Sequence, residues 1–235
     1  MGVRLNKYLA DRGVCSRRRA DDLIASNKVE VNGVVATLGT QVEEGDEVVV
    51  EGKMLKTEKP KSIVIAYHKP VGIITSVDPK ARDNVISQIN IKEKIFPVGR
   101  LDVASSGLLL LTNDGELSER ITHPRYYHEK EYLVTVDKTL RGADLTHMAD
   151  GMVILGSMTK PAVVRKIGQK TFCIILTEGR NRQIRRMCEA LGYDVKRLRR
   201  LRVMNVELGD LASGAWRYLT TQEYKVLRKE LNLPV

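Results

Sequence analysis

Apolar positions recur at helical spacing near the start of the chain, where Leu5, Tyr8 and Leu9 predict a short helix over Arg4 to Ala10, with Gly13 available to end it. Ser16 then stands as the cap of a second helix. Its apolar residues Ala20, Leu23 and Ile24 share one face, which leaves Arg17, Arg18 and Arg19 at the helix start. The period changes at Val29-Glu30-Val31-Asn32-Gly33-Val34, which alternates and then carries Asn-Gly, a hairpin signal. Gln41 to Glu51, with Val48-Val49-Val50, predicts further strand. From Lys53 to Lys61 the chain is polar and contains Pro60, which reads as a linker. Two domains are therefore expected, over 1–60 with the linker included and over 61–235. In the second, Ile63 to Tyr67 and Leu108 to Leu111 are strand-length apolar runs, far short of the ~20 residues of a membrane helix.

The first six residues hold no apolar signal stretch, so a cytoplasmic address without membrane attachment is the default expectation. Cys15, Cys173 and Cys188 form no Cys-x-x-Cys pair, which points away from a disulfide framework or a thiolate metal site. His68, His123, His128 and His147 show no metal-ligand spacing and read as solvent or turn positions, so no metal is expected. The formal net charge is +10, and its distribution is uneven. Residues 1–28 carry seven Lys/Arg against three Asp/Glu, residues 29–60 carry three against seven, and residues 176–235 carry thirteen against seven. Arginines at the start of a helix oppose its dipole, so local stability does not explain Arg17 to Arg19. Two basic clusters in a chain of pI near 9.5 point to nucleic acid, since the guanidinium fork matches phosphate oxygens.

Candidate chemistry lies beyond the linker. His68-Lys69-Pro70-Val71-Gly72 is a turn, and Gly99-Arg100-Leu101-Asp102 leads through Ser105-Ser106-Gly107 into the apolar run. An aspartate in a loop is ordinarily a turn residue. Tyr132 and Leu198 would ordinarily be core, and Arg185 in an arginine-rich helix would ordinarily meet phosphate. No Walker or dinucleotide loop is present, which argues against ATP and NAD chemistry.

Taken together and in order, however, these strings resemble known families. Leu5-Asn6-Lys7, Cys15-Ser16-Arg17-Arg18 and Val31-Asn32-Gly33 resemble an S4 RNA-binding domain. Gly-Arg-Leu-Asp-x-x-Ser-x-Gly-Leu at positions 99–108, with Lys69-Pro70-x-Gly72 upstream, resembles the signature of pseudouridine synthases. Glu129 to Val136, Glu178 to Met187 and Val195 to Arg200 resemble three further motifs of that superfamily. The likeness is to the S4-bearing bacterial branch, the RsuA/RluB/RluE/RluF family of rRNA synthases, and most to its RluF type. Members of that type often continue into a long basic tail, whereas this sequence stops at Val235.

The resemblance implies an α+β protein: a small S4 domain, then a catalytic domain on a mixed, largely antiparallel sheet with a central cleft. It implies isomerisation of a uridine in 23S ribosomal RNA, with no cofactor, because the reaction neither oxidises nor transfers a group. Asp102 would be the catalytic carboxylate, attacking covalently or removing a sugar proton, and Arg185 its cationic partner. Tyr132 would stack on the extruded base and Leu198 would line the uracil pocket. Arg4, Lys7, Arg12, Arg17, Arg18 and Arg19 would form the RNA face of the first domain, with Arg100, Arg180 and Arg182 as RNA contacts of the second. A monomer is expected. Two alternatives stay open: small-subunit rRNA or a tRNA stem-loop as substrate, or an RNA-binding ribosome-assembly factor without catalysis.

Overall fold

The computed structural model describes all residues except Met1, Lys56, Thr57, Lys59, Pro79 and Val235, and divides into two compact units, Met1–Ser62 and Ile63–Val235. In the first, strand β1 (Val3–Arg4) precedes helix α1 (Leu5–Asp11), and α2 (Arg17–Ala25) follows. The Ser16 hydroxyl accepts from the Arg19 N–H at 3.2 Å, the expected cap. Strands β2 (Val29–Val31) and β3 (Val34–Val35) join through Asn32-Gly33, both at positive φ (52° and 75°), the twist a two-residue hairpin needs. Strand β4 (Gln41–Val42) pairs with β1, and β5 (Val48–Val50) pairs with β2. Leu5, Leu9, Ala20, Ile24 and Val29 meet in one small core.

The expected linker is partly structured. Glu51 and Gly52 turn the chain at positive φ, and Lys53–Met54 comes back as strand β6 against β5. Backbone pairing with an otherwise open edge outweighs the polar composition there. Lys56, Thr57 and Lys59 of that stretch lie outside the described residues.

The second unit contains β7 (Val64–Lys69), β8 (Phe96–Pro97), β9 (Ser106–Thr112), α3 (Gly115–Thr122), β10 (Lys130–Val136), α4 (Gly142–Asp150), β11 (Val153–Ile154), β12 (Ser157–Met158) and β13 (Val163–Gly168). It continues with β14 (Thr171–Leu176), α5 (Gln183–Ala190), β15 (Val195–Val203), β16 (Val206–Glu207), β17 (Trp216–Tyr218) and α6 (Thr221–Glu230). The sheet runs β13-β14-β10-β15-β9-β7-β17, with β8 against β9 and β16 against β15. Its pairings are antiparallel except β9 with β15, where Ser106 faces Arg199 and Gly107 faces Arg200.

That parallel junction explains why β9 reads as four successive leucines rather than an alternation: it is covered on both faces. Leu108 and Leu110 pack with Leu117 of α3 and Leu227 of α6, while Leu109 and Leu111 pack with Tyr67 and Leu101. His68 departs from its expected solvent or turn position: it is a buried β7 residue whose Nδ1 lies 2.7 Å from the Leu211 carbonyl oxygen, which satisfies its polarity inside the fold. Among the described residues, no helix is long and apolar enough to cross a membrane.

Candidate active site

The loop between β8 and β9 holds Asp102 in place through its backbone. The Leu101 carbonyl accepts from Thr75 Oγ1 at 2.8 Å, the Val103 carbonyl from the Gly72 N–H at 2.9 Å, and the Asp102 carbonyl from the Ser105 N–H at 3.0 Å. The Ala104 carbonyl accepts from Arg185 Nη2 at 2.8 Å, and the buried Ser105 hydroxyl lies 3.2 Å from the same nitrogen. Four consecutive carbonyls are thus each bound to a different partner, and Leu101 plugs into the core beneath. A loop tied at every residue keeps its carboxylate where a substrate will need it.

Lys69, absent from the expected site, supports this loop from below. Its side chain is fully buried, and its ammonium donates to the carbonyls of Pro70 (2.7 Å) and Ile73 (2.9 Å), bracing the turn that presents Gly72 to Val103. Burial pushes the Lys69 ammonium down to about 8, against the pull of the Asp102 carboxylate.

Two arginines approach that carboxylate from α5 and its start. Arg185 Nε and Arg182 Nη1 each lie 3.9 Å from Asp102 Oδ2, within ion-pair range but beyond a hydrogen bond. Arg185 is largely buried, and burial, with Arg182 nearby, lowers its affinity for its proton while Asp102 opposes the shift. Its Nε is a buried donor with no partner, aimed at the side where substrate must enter. Arg182 is about half exposed, and its backbone is left-handed (φ 52°) at the N-cap of α5. Beneath them, buried Glu178 accepts from Gln183 Nε2 (2.8 Å), the Lys160 N–H (3.1 Å) and Arg180 Nε (3.2 Å), which locks the turn carrying both arginines.

Asp102, Tyr132 and Leu198 line one cavity of about 120 Å³ together with Arg100, Arg182 and Glu178. Tyr132 sits on β10 where the ladder to β15 slips: Glu131 faces Arg202 but Tyr132 faces Arg200, leaving Leu201 as the extra residue. Such a bulge re-aims a side chain, and here Tyr132 packs at the seam between the two halves of the core. Leu198 is 7% exposed on the same face of β15 as Arg200. Arg200 is itself buried, donating from Nε to the Leu108 carbonyl at 2.7 Å.

The sequence-predicted RNA contacts divide. Arg4, Arg17, Arg18, Arg19 and Arg100 are exposed, Lys7 is half-buried, and the Arg12 guanidinium lies over the Tyr8 ring, 3.4 Å from its centroid. Arg180 is at the cavity wall, but its guanidinium is occupied by Glu178, Ser157 (Nη1 to Oγ, 2.9 Å) and the Met158 carbonyl. Arg202 likewise pairs with Glu129 and Glu131, so the arginine-rich stretch 178–202 is only partly a phosphate-facing surface. Lys69, Ser105, Glu178, Gln183 and Arg200 were not singled out by residue type and spacing.

This geometry has counterparts in known proteins. Residues 63–190 match the RNA pseudouridylate synthase family, and residues 3–48 match the S4 domain. The chain is 47% identical over 222 residues to the dual-specificity RNA pseudouridine synthase RluF of Escherichia coli, covering 94% of this chain and 77% of that protein. It is 39% identical over 234 residues to the large-ribosomal-subunit pseudouridine synthase B of Bacillus subtilis, covering 96% and 95%. A crystal structure described as pseudouridylate synthase superposes with a TM-score of 0.72 at 32% identity, over 96% of this chain and 99% of the other. A carboxylate in a fixed loop, faced by two arginines across a cavity with a tyrosine and a leucine, on a chain with these relatives, belongs to an RNA pseudouridine synthase, an isomerase whose catalytic domain follows an S4 domain.

Proposed function

We propose that this synthase isomerises a uridine of 23S ribosomal RNA, with Asp102 as its catalytic carboxylate. The observation that carries this reading is the convergence of Asp102, Tyr132, Leu198 and the Arg185 guanidinium on one small cavity. The reaction breaks the N1 to C1′ bond of the extruded uridine, turns the uracil, joins C5 to C1′, and moves the C5 proton so that no atom is gained or lost. Asp102, held ionised opposite Arg185 and Arg182, attacks C1′ or takes a sugar proton; both routes need a fixed anion at this place. Tyr132 offers its ring to the base and Leu198 closes the other side, so that the detached uracil turns without escaping.

A 23S rRNA substrate is supported by the name of the Bacillus subtilis relative, and the dual specificity named for the Escherichia coli relative favours a second RNA, for which a tRNA stem-loop is the reading. Arg4, Lys7, Arg12 and Arg17 to Arg19 deliver the RNA; Arg100 and Arg182, exposed at the cavity, meet its backbone near the target.

The test is carbodiimide mapping of pseudouridine in 23S rRNA treated with wild type or Asp102→Asn, with bound RNA measured in parallel. A new stop with wild type alone, and equal binding by both proteins, is expected. If both bind and neither modifies 23S rRNA, small-subunit rRNA and tRNA are the next substrates, and failure on all three overturns the catalytic reading of Asp102.

A further inference from the structure

The N-terminal domain holds a second cavity, of about 330 Å³, within the size range of small-ligand sites. The start of α1, helix α2 and the turn at residues 37–40 frame it. That turn is pinned on three sides: Thr40 N–H to the Thr37 carbonyl (3.1 Å), Thr37 N–H to Thr40 Oγ1 (3.0 Å), and Leu5 N–H to the Thr40 carbonyl (2.8 Å). Gly39, at φ 97°, lets it close, and Leu38 projects at the tip, 62% exposed. Inside, Asn6 Nδ2 donates to Asp21 Oδ1 at 2.9 Å, which orients the amide so that Asn6 Oδ1 faces the cavity side; this oxygen is buried and has no hydrogen-bond partner. Arg4, which is exposed, completes the lining.

These walls select an occupant by its chemistry. Two acceptor oxygens, the Asn6 amide and the Asp21 carboxylate, repel a phosphate, and Arg4 repels an ammonium or guanidinium side chain. What suits them is a neutral, flat group with an N–H₂ edge for the oxygens and an apolar face for Leu38. We propose that this cavity takes a single unpaired nucleobase bearing an exocyclic amino group, adenine above all. It would thereby add a base-selective contact to a face that otherwise reads charge and shape. Uracil suits it badly, because its lone ring N–H is flanked by two carbonyls that would face the protein's oxygens. Bulged and looped bases are the ones an RNA can offer whole. This inference rests on the RNA-binding reading of the domain and adds to it a ligand that the basic residues do not specify.

The experiment uses the full-length protein and three hairpins of one sequence: one with a bulged adenosine, one with a bulged uridine and one fully paired. Fluorescence anisotropy gives the affinity of wild type, Asn6→Leu and Leu38→Ala for each. Wild type is expected to prefer the bulged adenosine over the bulged uridine by about tenfold. Asn6→Leu is expected to erase that preference. Leu38→Ala, a truncation of an exposed side chain, is expected to weaken only the bulged-adenosine complex, by roughly fivefold. Equal wild-type affinities for the three hairpins, or a Leu38→Ala loss shared by all of them, would overturn the proposal. Pseudouridine formation in rRNA by the same wild-type preparation is scored separately. Its absence bears on the catalytic reading and leaves the base preference untouched.

Discussion

Arg185 combines two tasks that a single charge would not cover. Its Nη2 binds Ala104 and Ser105, which sets the height of the loop, and its Nε faces the carboxylate that the loop carries. Lysine keeps the charge and lacks the fork. Arg185→Lys is expected to lower single-turnover pseudouridine formation by about 10²-fold or more, while RNA affinity stays within about twofold. Arg182→Lys is expected to cost less in rate, because Arg182 is exposed and anchors no part of the loop; a rate loss equal to that of Arg185→Lys would refute the division of labour. Asp102, Tyr132 and Leu198 were legible because each stands in an ordered string. Lys69 and Arg200 were not, because their roles come from burial. Arg199 and Arg200 are identical letters side by side, yet strand alternation leaves one in solvent and seals the other against the Leu108 carbonyl.

At the level of elements, the junction of β9 with β15 is the tightest requirement. A Cβ on Gly107 would stand 2.2 Å from the Arg200 carbonyl oxygen and 2.5 Å from its nitrogen, and the residue's φ of 108° is itself strained for any side chain. Gly107→Ala is therefore expected to destabilise the protein by roughly 3 kcal/mol or to prevent the pairing altogether, measured by urea unfolding. Helix α6 offers a pH-dependent counterpart. Thr220 and Glu223 form a reciprocal cap, and the Glu223 carboxylate takes both Arg217 nitrogens at 2.7 Å, which holds its pKa down at about 2 against an ordinary 4.5. A lowered acid contributes stability above its unfolded pKa and loses it as pH falls through the folded one. Glu223→Gln, which keeps the cap's hydrogen bonds, is expected to cost about 1 kcal/mol at pH 7. That difference should shrink between pH 4.5 and 2, and a difference that persists undiminished at the acid end would show that the ion pair is not its source. The hairpin at Asn32-Gly33 and the run of β9 were plain from pattern alone. Strand β6 and the slip beside Tyr132 were not, since edge pairing and register depend on neighbours distant in the chain.

For the whole molecule, the RNA face is read by its response to salt. If about six phosphates are neutralised, log affinity should fall with log salt at a slope near −5. Replacing Arg17, Arg18 and Arg19 by alanine should bring the slope to roughly −2 to −3; an unaltered slope would remove those three from the interface. The parallel junction has one more consequence, for the order in which the protein becomes competent as it is made. The N-terminal unit ends at Ser62, and the Asp102 loop follows soon after, but the arginine that ties that loop comes 81 residues beyond Ala104, and β15 comes later still. At about 5–20 residues per second, the ribosome spends roughly 4–16 s between the two. A chain still being synthesised can therefore complete its RNA-holding domain while its isomerase site lacks a wall, so the newborn protein grips RNA before it is able to change it.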